Sequence, residues 1–308
     1  MKHTILWATV GFALFATTAR AQDAQDSHAG VESGGASNSS IKTKSSESSP
    51  DGAESAANES NNPITLKTEI ILQNFVLLTP QGDEGRSADQ VLVRLYQPFK
   101  LFGVDNILRV YQSVLTDPLL PAGREAGLGD TTIYDLALHR MKGRMKKLTV
   151  GAGPLLVLPV ANHANEGDGK WQAGGSVVAV TTGSWGVAGT DVTYQHSFAG
   201  DGSRRPTAQL VTVQPKIYYN LPHGFYLRST GIWNLNFDAP HVSEIPFGFG
   251  VGKAMQSQNG TIMNFYVEPQ YSVYQHGNGS PKWQILTGVN ILFPNKQRSR
   301  TAEISGDR

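Results

Sequence analysis

The 308-residue chain carries 26 Lys and Arg against 25 Asp and Glu, and this formal net charge of +1 gives no electrostatic footprint for nucleic acid. Hydrophobic residues make up 39% and charged residues 17%, both below the roughly 45–50% and 25% of a soluble domain. Cysteine is absent, which excludes a disulfide framework and a thiolate metal site.

In chain order, the first 21 residues read as a secretory signal. Lys2 and His3 form a basic start, residues 5–16 an apolar core, and Ala19-Arg20-Ala21 a small-x-small cleavage site. That core is too short to cross a bilayer as a helix, and no later stretch approaches the ~20 apolar residues required. A membrane location therefore requires strands. Residues 22–62 hold eleven Ser, seven acids, two Lys and no aromatic. They offer too little apolar surface to offset chain entropy and are expected to form a disordered tail. The folded part is expected over 63–293, with a polar extension at 294–308.

From residue 63 the dominant period is two. Met263, Phe265, Val267, Pro269, Tyr271 and Val273 share one strand face, and Asn264, Glu268, Gln270 and Ser272 the other. Val211, Val213, Pro215, Ile217 and Tyr219 likewise oppose Thr212, Gln214, Lys216 and Asn220, and Tyr134, Leu136 and Leu138 oppose Asp135 and His139. Such runs hold for about ten residues, the length that crosses a bilayer at a tilt. Twelve candidates emerge: 64–78, 88–99, 105–116, 128–141, 146–158, 171–182, 185–198, 207–220, 225–237, 244–254, 261–275 and 282–293. An even number suits an all-β, closed antiparallel transmembrane β-barrel, because closure leaves no unpaired edge in lipid. Connections alternate. Those at 101–104, 142–145, 183–184 and 221–224 are short, and those at 79–87, 117–127, 159–170 and 199–206 are longer. Short turns face the periplasm in such barrels, which puts both termini there.

Gly127-Leu128-Gly129-Asp130, Gly167-Asp168-Gly169-Lys170-Trp171, Ser197-Phe198-Ala199-Gly200 and Gln214-Pro215 with Tyr218-Tyr219 follow in order. Gly224-Phe225-Tyr226-Leu227 and Ile245-Pro246-Phe247-Gly248 with Gly250-Val251-Gly252-Lys253 continue the series. Across residues 65–293 this set resembles the outer-membrane family of the phenol-degradation meta-pathway. The resemblance implies a β-barrel in the bacterial outer membrane and a passage for small compounds, aromatic ones among them.

A charge facing lipid near the midplane costs about 2–4 kcal/mol, so charged groups opposite the apolar faces are expected to line the lumen. These are the cations Lys67, Arg94, Arg109, Lys216 and Arg228 and the acids Glu69, Asp135, Asp191 and Glu268. His139, Gln195, Gln214, Asn234, Asn264 and Gln270 complete the expected lining. Two readings follow: a mixed-charge constriction that selects solutes, or an ion-pair network filling a closed structural or surface-interaction barrel. The long loops after the third and fifth strands are expected to fold inward as constrictions. Trp171, Trp185, Tyr219, Phe225, Trp233, Trp283 and Phe293 cluster toward strand ends, as aromatic girdles do. Expected partners are outer-membrane lipid and lipopolysaccharide, a small-molecule solute and the barrel-assembly machinery.

Other chemistries find weaker support. In Gly248 to Lys253 the Walker spacing fails, since Phe247 stands where its first Gly belongs and no helix is expected to follow; these glycines read as relief of crowding in a strand. The basic run Arg140, Lys142, Arg144, Lys146 and Lys147 reads as a solvated turn. A lipolytic enzyme would need a Ser paired with a His. Asn165 stands where that Ser would belong after Asn162-His163, and His196 and Ser197 point to opposite faces. The eight His show no metal-ligand spacing, so neither a metal nor a cofactor is expected.

Overall fold

The computed structural model describes residues 50–82, 85–117, 125–163, 166–200, 207–237 and 242–294. The expected signal at 1–21, the tail at 22–49 and the extension beyond 294 lie outside the described residues.

Alternating residues in strand after strand give the backbone long antiparallel ladders. Eight unbroken strands come first: β1 (Glu69–Pro80), β2 (Ser87–Leu101), β3 (Val104–Asp117), β4 (Glu125–Arg140), β5 (Leu148–Leu158), β6 (Lys170–Gly183), β7 (Gly186–Gly200) and β8 (Gln209–Asn220). Next are β9 (Phe225–Ser229) and β10 (Trp233–Asn236), then β11 (Ser243–Gly248) and β12 (Gly250–Gln256), and finally β13 (Ile262–His276) and β14 (Pro281–Leu292). The fourteen segments make twelve staves, because β9 with β10 and β11 with β12 are each one stave with a break. β1 pairs with β14 from Glu69 opposite Leu292 to Pro80 opposite Pro281, which closes the barrel. Closure satisfies the edges that hydrocarbon could not.

The first break has a local cause. Ile217 lies opposite Ser229 and Val213 opposite Trp233, which places Pro215 opposite Gly231. Proline has no N–H to give the ladder, so the pairing lapses there. Across the same gap, β9 and β12 pair at Arg228 and Gly250, and β10 and β11 pair at Asn234 and Glu244. A bulge between Ile245 and Pro246 shifts the register of β11 on β13.

The apolar faces look outward. On β13, Met263, Phe265 and Val267 are about 40% exposed, whereas Asn264 and Glu268 are fully buried. A barrel with its aliphatic side outward is covered by lipid tails. Replacing Val267 with Arg should therefore destabilise the barrel by about 2–4 kcal/mol in urea-dependent unfolding from lipid vesicles. No loss would mean that this face does not meet hydrocarbon.

Two sequence expectations change. The tail expected over 22–62 ends in order, since α1 (Pro50–Ser60) is a helix. Its own composition would not support one, but Ala56 and Ala57 bury almost completely against the barrel, and packing outweighs propensity in so short a helix. The first strand begins at Glu69 and not at 64, because residues 61–65 turn into the lumen to meet that helix.

Candidate functional site: the barrel lumen

The lumen is stacked in three layers. At the end of the short turns, where the chain enters β1, an apolar ring faces inward from Ile107, Leu136, Val178, Val180, Ile262 and Leu292. The small face of α1 and Ile64 pack into the same cluster. Small residues let the helix approach closely: Ala53 lies against Gly224, whose φ of +77° favours glycine. Asn58 ties the helix to two turns, donating to the Gly183 carbonyl at 2.9 Å and accepting from Asn220 at 2.9 Å. Lys67 pairs with Glu59 of the helix at 2.7 Å. Beyond the helix, Asn264 donates to the Asn61 side chain, Asn290 to the Ser60 carbonyl and Arg109 to the Pro63 carbonyl, the last at 2.5 Å. Residues 50–67 thus plug this mouth.

The middle layer is ionic and aromatic. Asp191 accepts from both Lys216 and Arg109, and the guanidinium of Arg109 also lies 4.7 Å from the Tyr96 ring centroid. Glu268 accepts from Arg228 Nε at 2.7 Å, from the Thr230 hydroxyl and N–H, and from Gln270. Arg228 stacks 3.7 Å over Tyr266. Glu69 takes a hydrogen bond from Asn290 at 2.9 Å, and Gln214 donates to the Thr230 carbonyl.

Above this layer, in the loop-side half of the strands, lies a cavity of about 300 Å³. In its wall Gln195 donates to Gln172 of the neighbouring strand at 2.9 Å, and Asn234 bridges Thr212 and Glu244. Residues 159–163 and 166–169, in the connection after β5, fold onto the inner side of β4. The Asp130 carboxylate holds that loop by accepting the N–H groups of Ala161 at 3.2 Å and Asp168 at 2.8 Å. Side chains at Gly127, Gly129 or Gly167 would collide with this seam. Two of the glycine clusters that carry the family resemblance therefore touch each other. Asp130→Ala should raise amide exchange at Ala161 and Asp168 by roughly tenfold, since each lost acceptor frees a backbone donor. Unchanged exchange would show that the loop is held by other means. The loop after β3 falls largely outside the described residues.

Of the expected lining, Glu69, Arg94, Arg109, Asp191, Gln195, Gln214, Lys216, Arg228, Asn234, Asn264, Glu268 and Gln270 face the lumen. Lys67 sits at the plugged mouth. Asp135 and His139 do not line it: in this half of β4 Tyr134 and Leu136 are buried toward the lumen, and Asp135 and His139 lie on the other face. The alternation there is inverted because the lumen at this height is apolar, with Leu136 opposite Ile107.

Six of the seven expected girdle residues are exposed at strand ends. Trp185, Tyr219, Phe225 and Phe293 lie at the turn end, and Trp171 and Trp283 at the loop end. Trp233 belongs to neither row; its indole N–H donates to the Pro246 carbonyl at 3.1 Å, bridging the interrupted staves, and its ring lies against Phe247. The basic run at 140–147 is a solvated turn around the 3₁₀ helix Gly143–Met145.

The inward tyrosines were missed by the sequence reading. Tyr96, Tyr111, Tyr218, Tyr226 and Tyr266 each stand two positions from an inward charge, respectively Arg94, Arg109, Lys216, Arg228 and Glu268. That period-two neighbourhood was the available signal. Tyr96 and Tyr111 share a 2.7 Å hydrogen bond between hydroxyls, which keeps both polar ends satisfied.

Among the described residues no group of His, Asp and Glu is arranged to hold a metal. No protein-family model and no curated protein matches the chain. Among solved structures, it is similar to a COG4313 outer membrane channel from Pseudomonas putida F1, with a TM-score of 0.54, 12% identity, and coverage of 76% of this chain and 98% of that one. The chain therefore has the fold of a twelve-stranded outer-membrane channel.

Proposed function

We propose that the protein is a gated passage for small solutes across the bacterial outer membrane, closed at rest by the segment from Pro50 to Lys67. In this reading the short turns and both termini face the periplasm, and the long loops face outward. The observation that carries it is the asymmetry of the lumen. A chamber of about 300 Å³ lined by polar and apolar side chains occupies the loop side, and the opposite mouth is blocked by a segment outside the wall's own hydrogen-bond ladder. A barrel serving only as structure needs no such separable stopper.

The distant similarity to a solved channel supports passage in general terms. Aromatic solutes are a narrower proposal, supported by the resemblance of the ordered glycine and aromatic clusters to the meta-pathway family and by Phe75, Tyr111 and Tyr134 in the chamber wall. Planar-bilayer recording of the mature protein, with and without the plug, tests the passage. Absence of conductance steps from both forms, with barrels shown to be folded, would leave the closed structural barrel as the better reading.

A further inference from the structure

The lumen holds three buried arginines, and two donate to protein acceptors: Arg109 through its terminal nitrogens to Asp191 and the Pro63 carbonyl, although its Nε too lacks an acceptor, and Arg228 to Glu268 and Thr230. Arg94 is different. It is 5% exposed, its Nε is sealed from solvent without an acceptor, and among the described residues its guanidinium donates no hydrogen bond. Its one close partner is the face of Tyr111, 4.6 Å away.

Burying a guanidinium without an acceptor is costly, so such a group points to an anion that completes it. Its place fits that role. Arg94 lies where the loop-side chamber meets a smaller cavity of about 40 Å³ against the plug, and it lines both. The other charges of the chamber have protein partners. Asp191 is held by Lys216 and Arg109, Asp130 by two backbone N–H groups, and Glu244 accepts from Asn234. In the layer beneath, Arg94, Arg109, Lys216 and Arg228 face Glu69, Asp191 and Glu268, four cations against three carboxylates. Asp191 is shared by Lys216 and Arg109 and Glu268 takes Arg228, so Arg94 is the cation of this layer that donates to no carboxylate.

The walls beside it are apolar: Leu92 on the same face of β2, then Phe75, Leu77, Leu155 and Ile232. Ligand pockets run from about 300 to 1,000 Å³, so this chamber takes a small molecule. We propose that the chamber is a binding site for a small organic monocarboxylate, its carboxylate on Arg94 and its apolar body against Leu92 and Phe75. The inference rests on the reading of the lumen as a solute passage and names the class of solute.

Purified full-length protein in detergent, checked for folding by its heat-modified gel mobility, is titrated with cyclohexanecarboxylate, its neutral carboxamide, and acetate. The carboxylate should bind, the carboxamide roughly ten- to hundredfold more weakly, because a charge-assisted bond is lost. Acetate should be comparably weak for lack of an apolar body. Arg94→Met should bring the carboxylate down to the level of the carboxamide, and Arg94→Lys should recover part of the difference. Equal binding of acid and amide to wild type overturns the site, even if the Met variant does not fold. An unchanged affinity in a folded Arg94→Met barrel overturns it too. Selective binding without conductance in bilayers would sustain the site and refute the passage; conductance without selective binding would do the reverse.

Discussion

Deletion of residues 50–62, joining residue 49 to Pro63, should raise single-channel conductance at least about fivefold, because ion flow through a pore is set by its narrowest, least hydrated section. Without the helix the turn-side mouth loses Ala53, Ala56, Ala57 and the Asn58 ties, while the wall keeps its ladders, which begin at Glu69. Pro63 remains to accept from Arg109. What is uncovered is an apolar ring of Ile107, Leu136, Val178, Val180 and Leu292, and such rings resist wetting. Conductance should therefore rise to a modest level and not to that of a wide porin. Unchanged conductance, with the barrel still folded, would mean that closure lies in the ionic layer.

The plug also marks where sequence reasoning stops. Its residues are mostly polar and small and follow a serine-rich stretch, which is the composition of a free tail. Nothing local announces that Ala56 and Ala57 meet a ring of aliphatic side chains on strands far along the chain. The barrel itself was legible because lipid imposes one rule on every strand: apolar outward at every second position. Residues 263–273 obey it without exception, as do 214–219. The rule says nothing about the inner face, which is free to be apolar where it meets the plug. That is why β4 was read inside out and Asp135 was placed in the lumen. The charged lining was legible for the complementary reason, since burying Arg109 or Glu268 toward lipid is prohibitive. Which cation pairs with which acid depends on staves far apart in sequence, and no spacing reveals it.

The largest stability effect is expected at one such pair. Glu268→Leu should lower the unfolding free energy by about 3–5 kcal/mol, the cost of leaving a buried charge without its partner. The carboxylate accepts four donors: Arg228 Nε, the Thr230 hydroxyl, the Thr230 N–H and the Gln270 amide. The Thr230 N–H lies in the break between β9 and β10, where no ladder carbonyl takes it, so the side chain stands in for the missing wall. Glycine at 248 and 250 makes room for it, since a Cβ at either position would collide with Glu268. This gives the Gly248-Phe249-Gly250 run a cause unrelated to phosphate binding. Replacing both partners, Arg228→Met with Glu268→Leu, removes the stranded guanidinium and should recover most of the loss, leaving the unmet Thr230 N–H at about 1–3 kcal/mol. Equilibrium unfolding of the four forms from lipid vesicles measures the coupling. If the double variant is as unstable as the sum of the singles, the pair is not coupled and the break is held by something other than this carboxylate.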